Sequence, residues 1–251
     1  IWIHPSYRAM YFVIALAAIY LQEEHKQRLS VWKKYFIPLI LTLFIFLFSS
    51  KSGIISLLFL GIFVISRMVF KERRYKSAVS VIFIFASIFY ILYFFAPQFA
   101  LSIDKAIHAL SENVDVKKSE ESTASRIAIW NAAKVIISEN WLIGTGTGDV
   151  KDVLLREYDK QGMIFALEKH LNAHNQFLQT FIALGVAGFL VLLASFFFPF
   201  VQIRRTKDYL YAIFLILLFF NFIVESMLET QAGVMFYAFF NSLFLTSAKE
   251  T

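Results

Sequence analysis

A few side chains in this sequence are of the type and spacing that carry chemistry. His174 precedes a long apolar run, where a neutral imidazole can accept a proton from a hydroxyl, although a lone His at such a place is more often structural. Arg126 falls in the first turn of a helix expected over residues 124–139, so a guanidinium and a helix N-terminus would together favour an anion. The plain alternative is a solvated or salt-bridged Arg near Glu120 and Glu121. Lys51 lies between two apolar runs with few polar neighbours, and either attracts a phosphate as a compact point charge or simply snorkels to the interface. Glu225 and Glu229, one turn apart at a helix end, are expected to pair with Arg126 or Lys51, to bind hydroxyl groups, or to be solvated.

Two other patterns carry less. His170 and His174 would share a face if the segment were helical, as zinc ligands do, but there is no His-Glu-x-x-His pattern, no Cys, and no evident third ligand beyond Glu168. No metal site is therefore expected. Gly144-Thr145-Gly146-Thr147-Gly148 lacks the Gly-Lys-Ser/Thr ending of a phosphate loop and reads as a flexible turn, a hinge between two helices.

The elements that must position these residues are membrane helices. The chain of 251 residues is 59% hydrophobic, with thirty Phe and a mean hydropathy of +0.64, far beyond an ordinary soluble domain. A bilayer core of about 30 Å asks for roughly 20 mostly apolar residues per helix, and about seven segments come near that: 6–21, 35–50, 53–69, 78–96, 176–203, 209–224 and 233–247. The net charge of +6 does not point to nucleic acid, because the Lys and Arg residues gather in short clusters between apolar runs. Clusters at 26–34, 67–76 and 204–207 are separated by pairs of spans, which places them on the cytoplasmic side and the connections at Lys51, 101–173 and 225–231 outside.

The expected organisation is four spans in 1–100, a helical periplasmic loop in 101–173, and three spans in 174–251. Within the loop, residues 111–125 are rich in Ser, Glu and Lys and are expected to be mobile. Ile127, Trp130, Ala133 and Ile137 then recur at helical spacing, and a second helix is expected from Asp149 through Tyr158. The loop is too short for a soluble domain with its own large core. Ile1 in place of Met, with no signal peptide ahead of the first run, suggests a fragment lacking its N-terminal part.

The stretch Ala173-His174-Asn175-Gln176-Phe177-Leu178-Gln179, followed by Leu184-Gly185-Val186-Ala187-Gly188, resembles the signature of the O-antigen ligase family of lipid-linked polysaccharide transferases. Ser125-Arg126 with Trp130, Gly144-Thr145-Gly146, His4-Pro5-Ser6-Tyr7, Ser50-Lys51-Ser52-Gly53, and Glu225 with Glu229 extend the likeness over nearly the whole chain. It departs at Lys51, where the family more typically has Arg. The resemblance implies an inverting, metal-independent glycosyltransferase without a cofactor, multi-pass in the bacterial inner membrane with its active site facing the periplasm. It would move a glycan from undecaprenyl pyrophosphate to an acceptor hydroxyl such as one on the lipid A core. His174 and Arg126 would be catalytic, and Lys51, Asn175, Glu225 and Glu229 would bind substrate. The rival readings are a polysaccharide polymerase of the same superfamily, a non-catalytic transporter or flippase subunit, and an inactive scaffold.

Overall fold

The computed structural model describes residues 5–24, 30, 32–47, 51–109 and 122–247, and every regular element among them is helical. The order is α1 (Pro5–Glu24), a π-helical turn (Trp32–Phe36) leading into α2 (Ile37–Leu47), α3 (Lys51–Phe70), α4 (Tyr75–Phe95), α5 (Pro97–Ala109), α6 (Ser122–Glu139), α7 (Val150–Gln161), α8 (Ile164–Glu168), α9 (Gln176–Thr206), α10 (Tyr209–Val224), a 3-10 turn (Met227–Glu229) and α11 (Gln231–Ser247). Each apolar segment expected to span is a helix. Ser52–Phe70, Tyr75–Phe95 and Gln176–Thr206 are long and apolar enough to cross a membrane, and Pro5–Leu21, Ile37–Leu47 and Tyr209–Val224 are shorter apolar helices. Of the stretch 111–125 expected to be mobile, 111–121 lies outside the described residues and the remainder opens α6.

The chain forms two compact units, Ile1–Asp104 and Lys105–Thr251. In the first, Ala9, Met10, Val13 and Ala17 recur every three or four residues and give α1 a fully buried stripe. Ile54, Leu57 and Leu60 bury the matching face of α3. The Tyr20 hydroxyl donates to Glu72 Oε1 at 2.7 Å, closing one end of the packing. By contrast α4 is barely covered, with 6% of its span buried.

The second unit holds two kinds of core. One is a Phe-rich contact between the last helices: Phe214 meets Phe236 and Phe244 at 5.8 and 5.5 Å between ring centroids, and Phe177, Phe196 and Phe222 meet across α9 and α10. The other lies in the connection that precedes α9. Ala128, Ile129, Ala132, Ala133 and Ile136 of α6 pack on Val150, Leu154 and Tyr158 of α7, on Met163 and Ala166, and on Ile182 and Ala183 of α9. The connection thus builds a core, but one that needs the start of α9 as a wall.

That sharing explains a departure from the uninterrupted span expected over 176–203. At Gly185 the backbone takes φ 61° and ψ −159°, which breaks α9 into two segments. Carbonyls released by the break do not stay unpaired: Thr145 and Gly146 donate their N–H groups to Ile182 and Ala183 at 2.7 and 2.9 Å, and the Val186 N–H donates to Trp141 at 2.9 Å. The glycine-rich turn is therefore docked against α9, not the flexible hinge expected from its composition. Residues 186–206 run about 31 Å at 1.5 Å per residue, enough to cross a hydrocarbon core without the first segment.

Candidate functional site

The site grows from the junction between α6, the start of α9 and the end of α10. On α6 the small residues Ala124, Ala128, Ala132 and Ala133 face inward, so the helix lies close to its neighbours and Arg126 projects along a neighbouring face, its side chain 22% exposed. One guanidinium nitrogen, Nη2, stands 3.5 Å from Glu225 Oε2. The other carboxylate oxygen, Oε1, is 3.3 Å from His174 Nδ1. Glu225 thus lies between a cation and an imidazole, with its own side chain 12% exposed.

The local sequence holds His174 in this place. Its backbone takes the left-handed region at φ 44°, which costs a non-glycine residue about 1 kcal/mol or more and persists where neighbours fix it. Its N–H donates to Asn172 Oδ1 at 3.0 Å, and the preceding Ala173 N–H donates to Gln179 Oε1 at 3.1 Å. Asn175 caps α9, its Oδ1 accepting from the Leu178 N–H at 3.0 Å, while its own N–H donates to Ser226 Oγ at 3.2 Å. Gln176 Oε1 accepts from the Leu228 N–H at 2.7 Å. These bonds fasten the start of α9 to the turn after α10, and so set His174 opposite Glu225.

Of the residues singled out from sequence, the structure brings Arg126, His174 and Glu225 together and places Asn175 directly behind them. Glu229 ends the 3-10 turn and is exposed. It does not share a helix with Glu225, because α10 stops at Val224 and Glu225 is extended at φ −153°. Lys51 opens α3 in the first unit, and its side chain lies outside the described residues. His170 sits in the same non-helical link as His174, is exposed, and has φ 51°, so the two do not form a helical pair. Sequence reasoning missed Ser226, which is fully buried, and left Gln176 and Gln179 without roles. The available signal was the clustering of amides at the mouth of an apolar run, where each must find a partner.

A family model described as O-antigen ligase matches residues 36–193, more than half of the chain. The chain belongs to the O-antigen ligase family. No curated protein matches it. As an O-antigen ligase family member it is a multi-pass membrane protein of glycosyltransferase type. The matched residues contain Arg126 and His174 and end before Glu225, whose place beside both comes from the fold of this chain.

Proposed function

We propose that this O-antigen ligase family member transfers a polysaccharide from undecaprenyl pyrophosphate to an acceptor hydroxyl, such as one on the lipid A core, with inversion and without a metal, at the periplasmic face of the inner membrane. The observation that carries the reading is the carboxylate of Glu225 lying between Arg126 and His174. With Nδ1–H donating to Glu225, the imidazole presents Nε2 as a proton acceptor. The acceptor hydroxyl gives its proton to Nε2 as its oxygen forms a bond to the anomeric carbon of the donor sugar. The bond from that carbon to the pyrophosphate oxygen breaks, and the pyrophosphate leaves with the electron pair.

The charge that develops on the leaving group needs a cation held in advance, and Arg126 supplies a guanidinium; because α6 begins at Ser122, Arg126 stands at the start of its second turn and not in the first turn expected from sequence, so the charge and not the helix N-terminus carries this role. Asn175 acts here by fixing the helix start that bears His174, and Glu225 by orienting both functional side chains. The exposed Glu229 is assigned to the glycan hydroxyls of the substrate. The positive clusters on the opposite side of the spans support an outward-facing site.

The reading is tested with purified protein in proteoliposomes given labelled undecaprenyl-pyrophosphate glycan and either lipid A core or a second lipid-linked glycan as acceptor. Transfer to lipid A core is expected. Transfer only to the lipid-linked glycan would make the chain a polymerase, and donor movement without a new glycosidic bond would make it a transporter.

A further inference from the structure

We propose that the turn between α6 and α7, Trp141-Leu142-Ile143, is a membrane anchor: it inserts into the boundary between phospholipid headgroups and acyl chains at the level where α9 enters the bilayer, and so holds the α6–α7 core on the lipid surface. Such an anchor is independent of the chemistry at His174. The three side chains are 55%, 55% and 80% exposed, whereas the large apolar residues of the adjoining helices mostly pack inward. Those helices show the opposite character on their outer faces. Their exposed positions include Lys134 and Glu139 on α6 and Asp152, Arg156, Asp159 and Lys160 on α7. Charge is thus turned to water along both helices and is absent from the turn that joins them. Three consecutive exposed apolar side chains form the kind of surface that marks contact with a membrane.

The backbone fixes the depth of this turn. Phe177 and Phe196 meet at 6.1 Å, and Phe181 and Phe189 at 5.0 Å, between ring centroids. In one straight helix residues 177 and 196 would stand about 28 Å apart, so α9 doubles back at Gly185 and its second segment begins there. That segment, residues 186–206, is the part long enough to cross the hydrocarbon core, and the bend at Gly185 therefore marks the membrane surface. The turn is fastened at this level, because the Val186 N–H donates to the Trp141 carbonyl at 2.9 Å and the missing side chain of Gly185 lets the Leu142 carbonyl approach.

Lipid is the occupant that continuity selects. Leu184 on one side of the bend, and Leu190 and Val191 on the other, are also exposed, so apolar surface runs from the bend down the span. The turn adds to that surface at its membrane-entry end. An indole beside two aliphatic side chains suits the headgroup boundary, where the ring is buried and its N–H stays hydrated.

The test places nitroxide labels on the full chain in liposomes of phosphatidylethanolamine and phosphatidylglycerol, through Leu142→Cys, Ile143→Cys and Arg156→Cys made singly in a sequence that has no Cys of its own. All three side chains are exposed, so each variant should fold with a parent-like Tm, and reading two positions in the turn leaves one to decide if the other misfolds. Collision with oxygen, which concentrates in lipid, is compared with collision with a water-soluble nickel chelate. At 142 and 143 the ratio of oxygen to nickel accessibility should be at least ~5-fold that at 156, as for side chains sunk about 5–10 Å into the headgroup boundary. Nickel accessibility at 142 and 143 equal to that at 156 would put the turn in water and overturn the proposal. Low collision with both reagents would show the turn covered by protein and would overturn it equally.

Discussion

At the residue scale Glu225 joins the site, touching Arg126 and His174 through different oxygens. Glu225→Gln keeps the size of the side chain and removes the charge, so it should lower kcat by about 10- to 100-fold while changing KM little, as expected of a positioning residue behind a general base. Combined with His174→Ala the loss should be far less than the product of the two single losses, because both act through one imidazole. Arg126→Lys retains the charge but not the planar fork, and transfer should fall at least ~10-fold. A separate expectation concerns Tyr158, which is fully buried in the α6–α7 core with a hydroxyl that meets no hydrogen-bond partner among the described residues. Burial holds its phenol above the ordinary range and so neutral. Tyr158→Phe removes a desolvated group that has no hydrogen bond, and a thermal melt should show an equal or higher Tm. Arg126, His174 and Glu225 were each legible in the sequence as residue types at a membrane surface. Their meeting was not, since His174 and Glu225 are 51 residues apart and only the packing of α9 on α10 joins them.

At the scale of elements, the break in α9 ties the site to the loop. Gly144 and Gly185 approach so closely that a Cβ on Gly144 would stand 2.5 Å from the Gly185 nitrogen and 2.6 Å from the Ala183 carbonyl. Both glycines have positive φ, so Gly144→Ala suffers strain as well as collision. It should destabilise the protein by about 2 kcal/mol or more and lower transfer through displacement of the helix start that bears His174; a denaturant melt alongside the assay separates the two effects. Helix boundaries were largely legible: the helices expected over 124–139 and from Asp149 to Tyr158 appear as Ser122–Glu139 and Val150–Gln161, the second with Asp149 at its N-cap and left-handed Gly162 at its end. The buried face of α6 was read less well, because four of its members are Ala and the larger Ile127 and Trp130 drew the stripe toward themselves. The break is invisible in the sequence because hydropathy continues across Gly185, and the glycine turn reads as a hinge because its partners Ile182 and Ala183 lie almost forty residues on.

At the scale of the whole molecule, alternation of positive clusters and spans gives a topology that cysteine labelling can check without removing any native thiol, since the chain has no Cys. Single Cys residues at Ser77 and Thr206 should be shielded from an impermeant reagent in intact cells, and one at the exposed Thr147 should react; reaction at Ser77 equal to that at Thr147 would turn the orientation over. That the chain is an all-helical membrane protein was legible because composition and run length bear directly on burial in lipid. The division into units was not, because the loop shares its core with α9 and so belongs with the last spans. The most direct test of the central claim compares His174→Ala with His170→Ala in the proteoliposome transfer assay at matched levels of folded protein. If the imidazole held by Glu225 is the base, His174→Ala should lose at least ~100-fold in rate, the low end of general-base effects, and the exposed His170→Ala should be nearly silent. Parent-like transfer by His174→Ala would contradict the account.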